Sequence, residues 1–455
     1  MKKTPVALLT LCLCAVTPLP AQAASNAHLE GRLTSGAAYV MDVPAAWNGT
    51  VLLYSHGYVP AGLPNPAQNS PDPDTLDALL KQGYALIGSS YATSGWAVTD
   101  AVPDQLATLD LFTDKFGTAK RTIAWGTSYG GLVTTTLAEQ HADRLDGSLA
   151  MCGLVQGGVA NWNSTLDLTF ALKTLLAPDA DVPLTGFADR SQAQSAARTL
   201  TTETAEAQQT PEGQARIALA AALYNVPGYN STTQTEPGPT DWAAQQANQY
   251  AAVTAILQTS GFGWRQEAES RAGGNMSWNT GVDYTAILQK SPLFKEVTQL
   301  YKAAGLSLRT DLATLGGEPR VSADADAVRW MEDTSVFKGR LTDPQLNVHT
   351  TDDALIPVQA ESAYHRTAAA GGSGALLSQA YVDGPGHCTF TSGEIIGALD
   401  TLEHRLDTGG WDTSPTTLNS RARQADPADE PRYVAYRPAP YPRPYDLARP
   451  KDSRS

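Results

Sequence analysis

The chain has 455 residues, 42% of them hydrophobic and 17% charged, which suits one large globular domain with an insertion or two to three ordinary domains. Its formal net charge of −14 excludes nucleic acid or an anionic membrane surface as the partner, because either requires a basic patch that releases counterions. The charge does not identify a substrate, since excess carboxylate commonly serves solubility.

At the N-terminus Lys2 and Lys3 precede an apolar run from Val6 to Leu19, and Ala21-Gln22-Ala23 has the small–x–small form of a cleavage site. This predicts a secretory signal peptide over residues 1–23 and a secreted or periplasmic protein. The run is shorter than the roughly 20 residues that span a bilayer, and Leu rather than a small residue precedes Cys12 and Cys14, against lipid attachment. No later stretch is long and apolar enough to cross. Removing the leader leaves Cys152 and Cys388, a candidate disulfide in an oxidising compartment or else two buried free thiols.

From Gly49 onward, short apolar runs alternate with amphipathic segments. Val51–Tyr54 and Ala85–Gly88 read as buried strands, with Leu76, Leu79 and Leu80 at helical spacing between them. Leu106, Leu109, Phe112 and Phe116 mark a second helix before the strand Thr122–Trp125. Leu132–Ala138 reads as a third helix, before the strand Ser148–Met151. Strand and helix repeated in this order predict βαβ units, a mainly parallel sheet and an α/β fold.

The rhythm breaks over residues 157–335, which are rich in Ala, Thr and Gln, with helical stretches such as Glu212–Tyr224 and Asp241–Gln258 and no clear buried strand. It resumes with a strand at Leu346–Val348, a helix over Val358–Ala370 and a strand over Leu376–Val382. A last helix opens on the capping box Thr391-x-x-Glu394 and carries Ile395, Ile396, Leu399, Leu402 and Leu406 on one face. Residues 24–156 and 336–412 thus form one discontinuous α/β domain, and 157–335 are a helical insertion. The tail over 413–455, rich in Pro and Arg with Tyr433, Tyr436, Tyr441 and Tyr445, cannot build a core. It is either disordered or an extended arm, and the tyrosines favour an arm docked on the catalytic domain.

The most informative stretch is Gly126-Thr127-Ser128-Tyr129-Gly130, a G-x-S-x-G with a strand before it and a helix after it. A side chain at Gly126 or Gly130 would collide in so tight a turn, while Ser128 sits at its apex with its hydroxyl exposed. The alternative, a plain Gly/Ser turn, does not explain the flanking strand and helix. The chain therefore resembles the α/β-hydrolase superfamily from about residue 49 to 408, apart from the insertion.

The resemblance implies a fold, a large helical cap formed by the insertion, and a set of catalytic parts. Leu53-Tyr54-Ser55-His56-Gly57-Tyr58 ends a strand where the superfamily places an oxyanion loop, which assigns the backbone N–H groups of Tyr58 and Tyr129 as donors. Each such donor is worth about 3 kcal/mol of transition-state stabilisation. The superfamily order of Ser, acid, His leaves His387, in the loop Asp383-Gly384-Pro385-Gly386-His387-Cys388, as the base. His28 and His56 precede Ser128, His141 ends the helix after it, His349 lies in a strand before the acid, and His365 and His404 sit in amphipathic helices.

For the acid, the superfamily spacing of four residues before a proline selects Asp353 over Asp352, with Pro357 the proline; Asp352 is then a loop or helix-cap residue and Asp383 a turn former. A cysteine beside the His bridged to one beside the Ser is known in tannases and feruloyl esterases. The match is partial, because Thr127 precedes Ser128, so Cys152–Cys388 would be a variant of that bridge and the family is not assigned.

These parts imply acyl transfer: His387 takes the Ser128 proton, Ser128 attacks a carbonyl, and water releases the acyl-enzyme. No metal or organic cofactor is required, and no His/Cys cluster has metal-ligand spacing. Activity should rise through roughly pH 6–7. Trp264 and Trp278, in glycine-rich loops of the insertion, and Trp96, after the fourth strand, are candidate pocket aromatics, although such residues more often serve core or surface packing. The expected substrate is a small-molecule carboxylic ester. A proline-type exopeptidase acting on short peptides and a catalytically silent binding protein are the alternatives.

Overall fold

The computed structural model describes Met1 and residues 26–445; the expected leader through Ala23 and the tail beyond Tyr445 otherwise lie outside the described residues. The apolar runs become strands of one sheet: β1 (Ala27–Arg32), β2 (Ala38–Val43), β3 (Thr50–Ser55), β4 (Ala85–Ser89), β5 (Arg121–Thr127), β6 (Gly147–Met151), β7 (Gln345–Asp352), β8 (Leu377–Pro385) and β9 (Tyr433–Val434). Their spatial order is β1-β2-β4-β3-β5-β6-β7-β8-β9. From β4 to β8 all neighbours run parallel, whereas β1, β2 and β9 are antiparallel to theirs. The central strands are buried on both faces, which is why they read as unbroken apolar runs rather than alternating ones.

Crossover helices cover the two faces. First come α1 (Pro73–Lys81), α2 (Val98–Phe116) and α3 (Tyr129–Gln140). Between β6 and β7 the described chain runs through α4 (Gly158–Leu176), α5 (Arg190–Ala207), α6 (Pro211–Tyr224), α7 (Trp242–Gln258), α8 (Gly263–Ala272), α9 (Tyr284–Lys290), α10 (Phe294–Ala303), α11 (Leu308–Gly317) and α12 (Ala325–Ser335). Last come α13 (Ala360–Gly371), α14 (Ser392–Thr408) and α15 (Pro415–Ala425). One face of the sheet packs Leu53 and Ile87 against Phe112, Leu132 and Tyr364. The other packs Leu52, Trp125 and Leu346 against Leu79, Ile396 and Leu399. The inserted helices have a core of their own, in which Leu172, Leu200, Leu219, Val253 and Leu257 are fully buried or nearly so.

Two regions differ from the expectation. The sheet begins before Gly49, with the β1–β2 hairpin extending it antiparallel; β1 alternates half-buried and exposed residues at an edge and so lacks a long apolar run. The tail is not merely an extended arm. Ser414 caps α15, which buries Leu418 and Ala422 against the far side of α14, and Tyr433 adds an antiparallel edge pair to β8. Tyr433, Tyr441 and Tyr445 are buried, while Tyr436 is largely exposed. Pro and Arg are abundant there, yet four or five buried side chains suffice to dock a segment on a core that already exists.

Candidate active site

The strand-to-helix turn at Ser128 explains its glycines by distance. A Cβ on Gly126 would lie 2.6 Å from the carbonyl oxygens of Ser55 and Gly130, and one on Gly130 would lie 1.8 Å from the Ser55 carbonyl. Only glycine fits between β3 and the start of α3. Ser128 itself takes φ +57°, a left-handed conformation unusual for a side-chain-bearing residue, and its backbone is tied to β6 by an N–H to the Met151 carbonyl, 2.9 Å. Beside it the Thr127 hydroxyl bonds the Tyr54 hydroxyl at 2.8 Å, bracing the turn against β3.

The base and acid come from the ends of β8 and β7. His387 Nε2 lies 2.7 Å from Ser128 Oγ, and His387 Nδ1 lies 2.6 Å from Asp353 Oδ2. The loop carrying His387 is held by the Thr350 hydroxyl, which donates to the Gly386 carbonyl at 2.7 Å, and by Gly386 N–H, which donates to the Asp352 carbonyl at 3.1 Å. Cys388, the next residue, is disulfide-bonded to Cys152 just past β6, with Cα atoms 5.4 Å apart. Both cysteines take positive φ, 45° and 56°.

Asp353 is wholly buried. Its Oδ1 accepts the backbone N–H groups of Leu355 (2.8 Å) and Ile356 (2.9 Å), which leaves Oδ2 for imidazole. Burial works to raise its pKa, but the His387 charge and hydrogen bonds from His349 and His387 prevail and hold it down at about 2. Asp352 differs: it ends β7, its carboxylate accepts the Thr351 hydroxyl, and burial pushes its pKa up to about 6. It is thus a strand residue, neither the loop residue nor the helix cap expected of the unused aspartate. Asp383 likewise belongs to β8 rather than to a turn.

His56 is buried with Nδ1 2.7 Å from the Gly57 carbonyl and its ring stacked on Tyr91, so it shapes the loop after β3. That loop lies over the nucleophile: a Cβ on Gly57 would be 3.7 Å from Ser128 Cβ. Among the described residues, the backbone N–H groups of Tyr58 and Tyr129 donate to no protein acceptor. Tyr129 opens α3, so its N–H also lies at the positive end of that helix.

A pocket beside Ser128 is walled by Tyr58, Trp96, Tyr129, Trp162, Tyr224 and Trp264, with Leu154, Leu355 and Ile356. Five of the rings form a contiguous chain: Trp264–Tyr58 at 4.6 Å, Tyr58–Tyr129 at 5.8 Å, Tyr129–Trp96 at 5.3 Å and Trp96–Trp162 at 5.2 Å. Trp264 and Leu355 also border a more open groove that reaches His387 and is lined by Asn230, Ser231, Thr233 and Gln234. Trp96 and Trp264 thus lie at the site, Trp264 in the first turn of α8 rather than in a loop. Trp278 does not; it packs against Tyr445 and Arg443.

Trp162 and Tyr224 had no distinguishing mark in the sequence, because any aromatic in an apolar helix reads as core. His349 had one. Gln345, Asn347 and His349 recur at period two in a buried strand, so three polar side chains share one face. Cys152, His387 and Cys388 gather three metal-capable side chains within 4.8 Å. The two sulfurs are bonded to each other and the imidazole bridges Ser128 and Asp353, so the group offers no free ligand set.

A mainly parallel sheet with this strand order, a nucleophile elbow after β5, and acid and base after β7 and β8 define an α/β-hydrolase, and the chain is a serine hydrolase. Residues 84–211, which include the elbow, match the prolyl oligopeptidase family. The chain is 29% identical to an o-phthalyl amidase of Xanthobacter agilis over 430 residues, 89% of this chain and 93% of that one. Among solved structures, feruloyl esterase B of Aspergillus oryzae is similar with a TM-score of 0.39 and 15% identity, covering 84% of this chain and 80% of that one. The rice cell wall degrading esterase LipA of Xanthomonas oryzae is similar with a TM-score of 0.35 and 13% identity, covering 83% and 86%. No helix among the described residues is long and apolar enough to cross a membrane.

Proposed function

We propose that the protein is an exported acyl hydrolase in which Ser128 is the nucleophile, His387 the general base and acid, and Asp353 the carboxylate that orients His387. The unbroken run of contacts from Ser128 Oγ through the imidazole to Asp353 Oδ2 carries this reading. Attack by Ser128 on a carbonyl places the developing oxyanion at the free N–H groups of Tyr58 and Tyr129. His387 then protonates the leaving group, and water deacylates the enzyme. A silent binding protein would have no use for an elbow held in a strained conformation beside an aligned imidazole.

The favoured substrates are carboxylic esters or amides of a small, flat acyl group. The aromatic walls beside Ser128 suit such an acyl group, and the polar groove beside His387 suits a varied leaving group. The relationship to an amidase along nearly the whole chain favours an amide as a second reading alongside the ester. A proline-type exopeptidase is the third reading, and the match of residues 84–211 to the prolyl oligopeptidase family lends it weight. Export is supported by the leader-like N-terminus and by the disulfide.

A fluorophosphonate probe tests the nucleophile: wild type should label and Ser128→Ala should not. Equal labelling of both, or none of wild type, would sink the assignment. A parallel panel of p-nitrophenyl benzoate, p-nitrophenyl butyrate, benzoyl anilides and Pro-p-nitroanilide separates the substrate classes. Turnover confined to the prolyl anilide would reverse the preference.

A further inference from the structure

β7 carries a second imidazole to the same carboxylate. His349 is completely buried, and each of its ring nitrogens meets only acceptors. Nδ1 lies 3.1 Å from Glu361 Oε1 on α13. Nε2 lies 2.9 Å from the Ile356 carbonyl and 3.4 Å from Asp353 Oδ2, the oxygen that also receives His387. A neutral imidazole has one N–H and would leave a lone pair facing a carboxylate or a carbonyl, whereas an imidazolium donates at both ends. Glu361 is arranged to match: its Oε2 accepts Asn347 Nδ2 at 2.9 Å and Gln379 Nε2 at 2.6 Å, so its Oε1 is left to His349. Gln345 Nε2 in turn donates to Asn347 Oδ1 at 2.8 Å and fixes that amide's orientation.

We propose that His349 is a buried imidazolium clamped between Glu361 and Asp353, and that it is a positioning residue for the triad acid. It holds Oδ2 of Asp353 in line with His387 and cancels part of the carboxylate's field there. The proposal rests on the reading of Asp353 and His387 as acid and base. Burial on its own would lower the pKa of His349, but hydrogen bonds to Asp353 and Glu361 and their two charges push it up to about 10. The ionisable groups around it are Asp353 after β7, Glu361 on α13, Tyr381 (its register partner on β8), Tyr224 on α6, whose hydroxyl donates to the Leu355 carbonyl at 2.7 Å, and His387 across the carboxylate.

The effect on catalysis has a definite sign. His349 lies nearer to His387 than Glu361 does, because it touches the shared oxygen, so its positive charge dominates the pair's influence. Removing both charges gives His387 the undiminished field of Asp353, and His387 then keeps its proton to higher pH. His349→Gln combined with Glu361→Gln preserves polar contacts without either charge. The acid limb of kcat/KM should move up by about half a pH unit, because at an effective dielectric of about 20 the nearer imidazolium and the farther carboxylate act in opposite directions and largely cancel.

Two measurements decide the matter. In histidine-15N-labelled wild type, one ring should remain doubly protonated above pH 8, and that signal should vanish in His349→Gln. Absence of such a ring overturns the proposal, whether or not the enzyme turns over a given substrate. With the imidazolium present, an acid limb that stays within about 0.2 pH unit in the folded double variant overturns the positioning role. Failure of Ser128 labelling would instead strike the catalytic reading and leave the charge state of His349 to the spectrum.

Discussion

Replacing both cysteines, as Cys152→Ala with Cys388→Ala, should affect stability and catalysis separately. The bond joins residues 236 apart in sequence, so its loss releases a very long loop in the unfolded chain. The chain-entropy relation gives about 5 kcal/mol for a loop of that size, an upper figure because residual structure in the unfolded state reduces it. For a chain of this length that corresponds to a fall in Tm of roughly 5 °C at most. Catalysis should suffer for a local reason. Cys388 follows His387 directly and takes φ +56°, a conformation the crosslink helps to hold. Without it the imidazole samples positions away from Ser128 Oγ, so kcat should drop by about tenfold or more while KM changes little. The assays are calorimetry and steady-state kinetics well below the transition, with dithiothreitol-treated wild type as a parallel arm. A double variant with unchanged Tm and unchanged kcat would refute the reasoning.

Two further predictions concern carboxylates. Asp353→Asn should lower kcat by roughly three to four orders of magnitude, because the amide presents the wrong hydrogen-bonding partner to His387 Nδ1–H. Asp352→Asn should change it only a few-fold, and steady-state kinetics on an activated ester distinguishes the two; equal losses would contradict the assignment. In the insertion, Glu296 is almost fully buried, accepts one hydrogen bond from Gln249 at 3.0 Å, and has its pKa pushed up to about 7 by burial. A carboxyl whose folded pKa is raised weakens the fold as pH rises from its unfolded value near 4.3 through about 7. Glu296→Gln should therefore match wild type at pH 4 and exceed it by roughly 2–4 kcal/mol at pH 8 in denaturant titrations. A pH-independent difference would count against a buried ionising group there.

The sequence made the central strands and the elbow legible because each obeys a local rule. β3, β4, β5 and β6 are short apolar runs bounded by turns, and G-x-S-x-G is a steric requirement visible in five letters. Asp353 and His387 were legible through chain order and one spacing. What escaped depends on packing between distant segments. β1 sits at the edge, where alternating burial dilutes the pattern, and β2 beside it is only partly buried. α15 is amphipathic, but its Pro- and Arg-rich surroundings mask the two buried positions, Leu418 and Ala422, that dock it. Trp162 and Tyr224 become pocket walls only because α4 and α6 come over Ser128, a relation between helices that no single helix encodes. The stripe Gln345, Asn347, His349 was visible as a pattern, but its meaning lies in Glu361 and Gln379 on other elements.

Acid and base sit on loops, and loops are where a catalytic arrangement loses precision unless something holds them. Here four separate parts of the chain do so. β6 reaches the His387 loop through the disulfide. The insertion reaches the acid loop through Tyr224, whose hydroxyl holds the carbonyl of Leu355 while the Leu355 N–H holds Asp353. α13 reaches it through Glu361 and His349. The tail reaches the base from its C-terminal side: Arg432 donates to the Thr389 carbonyl at 2.6 Å, two residues past His387 in the same loop, and to the buried Glu394 at 3.0 Å, in the first turn of α14. Disulfide apart, each contact is modest alone, on the order of 0.5–3 kcal/mol for a hydrogen bond. Their directions differ, however, so together they remove the loops' freedom to move along any one axis. The insertion therefore does more than wall the pocket, and the tail does more than lie over the sheet. Together they steady an acid and a base that sit beyond the ends of the strands.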